Sequence, residues 1–534
     1  MGFFDKEKKD QSKSSTPSTS QTTESNENHP LKTSLQDNIK TVKDTLGASS
    51  DIVIREIRIG KGGVLKAALM YTDGLSDTVA IQNFILESLM LDIKHTEIES
   101  ELIHNPRLMK TLKDFAMTVG EIKDVTKFDE LFLHLLSGDV ILLVDGYSEG
   151  LNIGNRRWAE RGVTESTTQT VIRGPREAFS ENIRINTSLV RRKIRDPQLW
   201  METKTIGKRT KTNIAVMYIN GVANDKIVEE VRLRLDRIDI DAILESGNIE
   251  ELIQDAPMST FPTVYNSERP DVVAAAILEG RVAIFIDGTP FVLTVPALFV
   301  QFFQSSEDYY QRADLTSLVR ILRFFSFGIA LLAPALFIAA TTFHHEMIPT
   351  SLVINLAAQR EGVPFPAFIE ALIMEATFEI LREASLRMPR AIGSAMAIVG
   401  AFVIGTAAVE AGMISAAMVI VVSITAIASF VSPTYDMAFS VRILRFVFMG
   451  LAASFGLFGI TVGLIALVLH LCSLRSFGIP YMYPIAPFNM EGQKDTFIRL
   501  PLWKIFTRPH LISQENIDRQ QNPTSAMPEP EKEQ

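Results

Sequence analysis

The hydrophobic pattern divides the chain in two. Before Leu315, apolar residues come in short runs closed by Asp-Gly or Asn-Gly; after it they come in runs long enough to cross a bilayer. The first part is internally repeated. "AALMYTDGLSDTVAIQNFILESL" from Ala67 matches "NIAVMYINGVANDKIVEEVRLRL" from Asn213, with Met70-Tyr71 on Met217-Tyr218. "SGDVILLVDG" (137–146) matches "EGRVAIFIDG" (279–288), and both offsets are roughly 145 residues. Each copy predicts a strand ending at a turn, then a helix that Asp77 or Asn224 is placed to cap, and later a Val/Ile/Leu-rich strand that enters a hairpin at Asp-Gly. Asp73, Asp145, Asn220 and Asp287 are read as turn residues, with metal or phosphate ligation as the alternative.

This gives an α+β cytoplasmic region of two similar subdomains, followed by an α-helical multi-pass membrane domain. The boundaries expected are a disordered tail over 1–50, a first subdomain over 51–165, a basic linker or helix over 166–200 and a second subdomain over 201–312. The membrane domain follows over 313–475, and a C-terminal tail over 476–534. Spans are predicted near 321–343, 364–387, 391–410, 412–431 and 446–474. Gly456, Gly459 and Gly463 suit close helix packing in the last of these. In the basic segment, Arg184, Arg191 and Arg192 are the candidates for assembly or for joining the subdomains; a clamp on acidic headgroups is the alternative.

The segment 364–387 is unusual, being apolar yet carrying Glu370, Glu375, Glu379 and Glu383. On a helical wheel Phe368, Leu372, Glu375, Glu379 and Glu383 share one face, and the three glutamates stack at intervals of four. A charge facing lipid costs about 2.5–3.5 kcal/mol or more, so the stripe must meet water, headgroups or protein. It can line an ion path, lie flat at the interface or form an ion-paired packing face. The competing pore lining is Ile392, Met396, Val399 and Val403 of the next helix. Arg320, Arg323, Arg382, Arg387, Arg390, Arg442 and Arg445 place the soluble region on the cytoplasmic side. Five crossings would then leave the C-terminus outside, whereas Arg475, Lys494, Arg499, Lys504 and Arg508 argue for inside. Either 364–387 is re-entrant, or the Pro-rich stretch 476–488 dips into the membrane.

Net charge is −9, which gives no reason to expect nucleic acid. The single cysteine, Cys472, excludes an intrachain disulfide. "GKGGVLKA" lacks Walker A spacing, "HHEM" is not a zincin motif, and no nucleophile elbow occurs. Neither an enzyme nor a cofactor is expected, and no catalytic or metal residue is assigned.

"RGPREAF", "NTSLVRRKIRDP", "GRVAIFIDGTPF", "QSSEDYYQR", "TTFHHEMIPTSL" and "REGVPFPAFIEALIMEATFEILREA" resemble the A subunits of spore germinant receptors, over about 52–509. The resemblance implies a protein of the inner spore membrane, its N-terminal region on the core side. It implies a transporter-like, nutrient-binding B subunit and a lipoprotein C subunit as partners, besides membrane lipid. It also implies homo-oligomerisation, as a pentamer, into a ligand-gated cation channel that starts germination. A non-conducting sensor or scaffold relaying the signal to a partner is the alternative, and a secondary transporter is a weaker one.

Overall fold

The computed structural model describes residues 29–59, 65–86, 109–110, 112–113, 121–157, 166, 169–387, 403–513 and 516–519. Two antiparallel five-stranded sheets follow one another. The first contains β1 (Ile52–Ile59), β2 (Leu65–Thr72), β3 (Ile122–Val125), β4 (Val140–Val144) and β5 (Gly150–Ile153), in the order β1-β2-β4-β5-β3. The second contains β6 (Leu199–Ile206), β7 (Thr212–Ile219), β8 (Tyr265–Ser267), β9 (Val282–Ile286) and β10 (Val292–Val295), in the order β6-β7-β9-β10-β8. The identical orders make the repeat a duplicated fold.

The central strands β2, β4, β7 and β9 are buried on both faces, so they read as near-continuous apolar runs while their side chains still alternate. In β7, Ile214, Val216 and Tyr218 pack under α4 (Asp225–Asp236) and α5 (Ser246–Ile253). Ala215, Met217 and Ile219 pack under α3 (Ile183–Lys193) and α6 (Pro270–Leu278). In β2, Ala68 and Met70 likewise face α1 (Leu35–Thr45) and α2 (Phe128–Leu136), while Ala67, Leu69 and Tyr71 face the other way. Asp77 and Asn224 cap the helical turns that follow β2 and β7, as expected.

The repeat begins earlier than its sequence signal. Helix α1 is the counterpart of α3: Asp145 Oδ1 accepts from Leu35 N at 3.0 Å, and Asp287 Oδ1 from Ile183 N at 3.1 Å. Asn38 binds both backbone groups flanking α1, at Lys32, and Asn186 does the same for α3 at Ser180. Two boundaries therefore move. Residues 29–50 are an ordered part of the first subdomain, not tail, and the helix of the basic segment opens the second subdomain instead of linking the two.

Among the described residues, five helices of eleven residues or more follow: α7 (Ala313–Thr342), α8 (Thr350–Arg360), α9 (Ala367–Arg387), α10 (Ala416–Phe430) and α11 (Tyr435–Ser473). Among the described residues, α7 and α11 are long and apolar enough to cross a membrane. Helix α11 is not one straight rod. Gly456 is non-helical at φ 61° and ψ −141°, a conformation open to glycine, and the chain doubles back there. Both ends of α11 meet the second subdomain: Ser440 Oγ donates to Thr260 O, and His470 Nε2 is hydrogen-bonded to Ser259 Oγ at 2.9 Å. A Cβ on Gly463 would lie 2.8 Å from Leu451 Cδ1 and 2.9 Å from Phe448 Cε1, so the arms touch. At about 1.5 Å per residue the arms are about 31 and 25 Å long. The single span expected near 446–474 is thus an antiparallel pair.

Beyond α11 the chain stays with the soluble region. Phe477, Ile479, Tyr483 and Ile512 enter the core under α4 and α5, and Tyr481 is buried among Phe299 and Phe302. The Pro-rich stretch therefore packs on protein, and 476–513 is a strap on the second subdomain, not a free tail.

Candidate functional site

The acidic face of α9 lies against α7, α10 and α11. Glu375 is fully buried and ion-paired to Arg445 of α11, whose side chain is also buried. Arg445 Nε donates to Ala330 O of α7 at 2.9 Å. That carbonyl is available because residue 334, its partner one turn on, is Pro334, which has no N–H. Proline, arginine and glutamate thus tie three helices at mid-bundle. One turn nearer the soluble region, Glu379 accepts from Arg442 at 2.9 Å and lies 3.5 Å from Arg382. Glu383 is exposed and pairs with Arg387 at 2.6 Å. At the opposite end, buried Glu370 accepts from the backbone N of Ser415 at 2.6 Å and from its hydroxyl, at the start of α10, with Arg360 3.8 Å away.

Of the environments open to the stripe, Glu375 and Glu379 meet protein cations and Glu383 meets solvent. Several buried atoms nevertheless lack a hydrogen-bond partner, among them Glu370 Oε2, Glu375 Oε1, Glu379 Oε1 and Arg445 Nη2. Phe368 and Leu372 are half-buried at the start of α9, Phe368 against the bundle core. Ile392, Met396 and Val399 lie outside the described residues, and Val403 is the first residue of the described stretch 403–513.

The arginines used to count topology have other work. Arg320 is fully buried between Asp308 at 2.9 Å and Asp495 at 2.7 Å, and Arg323 also reaches Asp308. They fasten α7 to the soluble region and the strap. At the same junction, burial and then the charge of Asp436 push the Glu250 carboxyl up to about 7. Asn266 donates to Asp436 at 2.8 Å, joining the subdomain to α11. The folded state therefore holds a proton on Glu250 that the unfolded state releases near 4.5, and stability falls as pH rises between those values. The thermal midpoint of the full chain should drop from pH 5 to pH 7.5, and Glu250→Gln should remove most of that drop, on the order of 2–3 kcal/mol. Parallel pH profiles for wild type and variant would exclude Glu250 as its source.

Helix α3 carries the sequence-predicted basic residues to the first subdomain. Arg191 donates to both carboxylate oxygens of Asp51, at 2.7 and 3.0 Å, and both side chains are buried. Arg184 pairs with Asp73 beside the turn after β2. Arg192 turns the other way, 3.6 Å from Glu177. Trp200 Nε1 donates to Thr45 O at 3.3 Å across the same joint. A cleft of about 460 Å3 opens between the subdomains, lined by Leu75, Ser137, Leu189, Lys193 and Arg195 among others. Asp73, Asp145, Asn220 and Asp287 form no metal cluster among the described residues.

The chain thus joins a duplicated α+β region to a helical bundle that contains two long apolar helices. Residues 40–511 match the family model described as Bacillus/Clostridium GerA spore germination protein, and the chain belongs to that family. It is 49% identical over 487 residues to spore germination protein KA of Bacillus subtilis (strain 168), covering 91% of this chain and 88% of that one. It is 43% identical to the uncharacterized membrane protein YfkQ of the same organism, covering 92% and 94%. To spore germination protein GerLA of Bacillus cereus it is 39% identical, covering 89% and 94%. The crystal structure of the N-terminal domain of the A subunit of the Bacillus megaterium spore germinant receptor GerK3 aligns over 52% of this chain and 99% of that one, at 42% identity and a TM-score of 0.41. With its apolar helices, this chain is a membrane protein of the germination family.

Proposed function

We propose that the chain is the A subunit of a nutrient germinant receptor of the inner spore membrane, acting with a B and a C subunit. Several copies assemble around a cation path gated through α9. The observation that carries this reading is the column of carboxylates along α9, each of the inner two held by an arginine of α11. Rings of carboxylates concentrate cations and reject anions. With Glu375 and Glu379 neutralised inside the protomer the path is shut. A rotation of α9 that releases them opens it, and Leu372 and Phe368 close it by dewetting. The α11 hairpin adds a sixth crossing to the five predicted, which returns the C-terminus to the soluble side and removes the charge conflict.

The internal pairing of Glu375 and Glu379 also favours a second wall, the stripe Ile392, Met396, Val399 and Val403, with Glu383 at its mouth. Cation flux into liposomes carrying the purified receptor separates the two. Leu372→Ala should raise resting flux on the order of tenfold, as a shift of about 1.4 kcal/mol in a closed–open equilibrium would. Leak from Ile392→Ala or Val399→Ala instead assigns the path to the second wall. Absence of flux in the wild type with partners and nutrient supports the non-conducting scaffold.

A further inference from the structure

Among the described residues, the ion pairs of the bundle leave one positive charge over. Glu375 balances Arg445, Glu383 balances Arg387, and Arg320 and Arg323 balance Asp308 and Asp495. Glu379 alone faces both Arg382 and Arg442. Both arginine side chains are only 10% exposed, and the Nε atom of each has no hydrogen-bond partner. Arg382 Nη2 donates to Ser429 Oγ at 2.6 Å, and Arg442 Nη2 reaches Tyr435 only at 3.5 Å. A buried cation left without its counter-charge is costly, so the surplus calls for an anion.

The surroundings say which anion. Arg382 lies 5.0 Å from the Phe378 ring and 4.8 Å from the Phe430 ring, and Arg442 lies 4.9 Å from that of Phe439. Phe430, Tyr435 and Phe439 are at least half exposed or nearly so, at 68%, 60% and 49%. All of these groups sit where α9 and α10 end and α11 begins, beside the soluble region that Thr434 touches at Phe302. Basic pockets between membrane helices at that depth, fringed by aromatic rings, suit the phosphate of an anionic lipid with its acyl chains on the rings.

We propose that Arg382 and Arg442, with Ser429, form a site for the phosphodiester headgroup of an anionic phospholipid in the leaflet facing the soluble region. The proposal rests on the reading of the bundle as membrane-embedded, not on ion conduction. Phosphodiester and free phosphate share the recognising chemistry, and the test separates them. The full chain is reconstituted in nanodiscs of mixed phosphatidylglycerol and phosphatidylcholine and then released for native mass spectrometry. Wild type should retain phosphatidylglycerol over phosphatidylcholine by about tenfold, and Arg382→Gln, which keeps a donor for Ser429, should bring the ratio near unity. Arg387→Gln, one turn further on and exposed, should leave it unchanged. Equal retention of the two lipids by wild type overturns the site whatever the variants do. An equal loss in Arg387→Gln reduces it to general surface charge. Displacement of the retained lipid by millimolar inorganic phosphate reassigns it to a soluble anion.

Discussion

Replacing Arg445 by Gln should lower the stability of the detergent-solubilised chain by about 3–5 kcal/mol, because the carboxylate of Glu375 is then buried without its cation. The loss should exceed that of Glu375→Gln, since Arg445 keeps a second acceptor in Ala330 O. The double variant should recover much of the loss, because two neutral amides can bond each other. Chemical denaturation of the four proteins of the cycle measures the coupling. Additive losses would mean that the two side chains act independently, and would remove the tie between α9 and α11. Pro334→Ala supplies a backbone N–H to Ala330 O, competing with Arg445 for that oxygen, and weakens the tie by a smaller amount.

The second expectation is all-or-none. Cys472 is the only cysteine and is exposed near the end of the returning arm of α11. If α11 is a hairpin, a membrane-impermeant maleimide should label Cys472 from the face that carries the soluble region and leave it unlabelled from the other. A single span over 446–474 would put Cys472 on the opposite face and reverse the result. Gly459→Leu sharpens the test. A Cβ at that position runs into the carbonyl of Leu451, so the arms cannot close, and labelling should lose its sidedness or the protein its strap. Sided labelling identical to wild type in Gly459→Leu would show that the reversal does not depend on contact between the arms.

The duplicated sheets were legible because each copy keeps Met-Tyr followed by Asp-Gly or Asn-Gly at the end of an edge-adjacent strand, where the turn demands those residues. Helices α1 and α3 are not legible as a pair in the sequence. Their shared signal is one asparagine, Asn38 and Asn186, set among unlike charges, and a lone side-chain clamp on the backbone leaves no periodicity to find. The reversal at Gly456 was hidden for a different reason. It takes a single residue with apolar sequence on both sides, so no polar loop interrupts the hydropathy. For the acidic stripe, spacing placed the glutamates on one face but could not supply partners some 65 residues away: Arg442 and Arg445 looked like loop charges until the helix that carries them was folded against α9.

The hairpin has its two feet on neighbouring residues of one loop, Ser259 and Thr260, and its tip at Gly456 beside His344 on the far side of the bundle. It is a two-armed prong that stands on a loop of the second subdomain. Its base lies on the same subdomain that Arg320 and the strap fasten to α7, so a displacement of the tip would be felt there first. Under the receptor function proposed above, that hairpin is a direct path from the far end of the bundle to the second subdomain, one that bypasses the first subdomain.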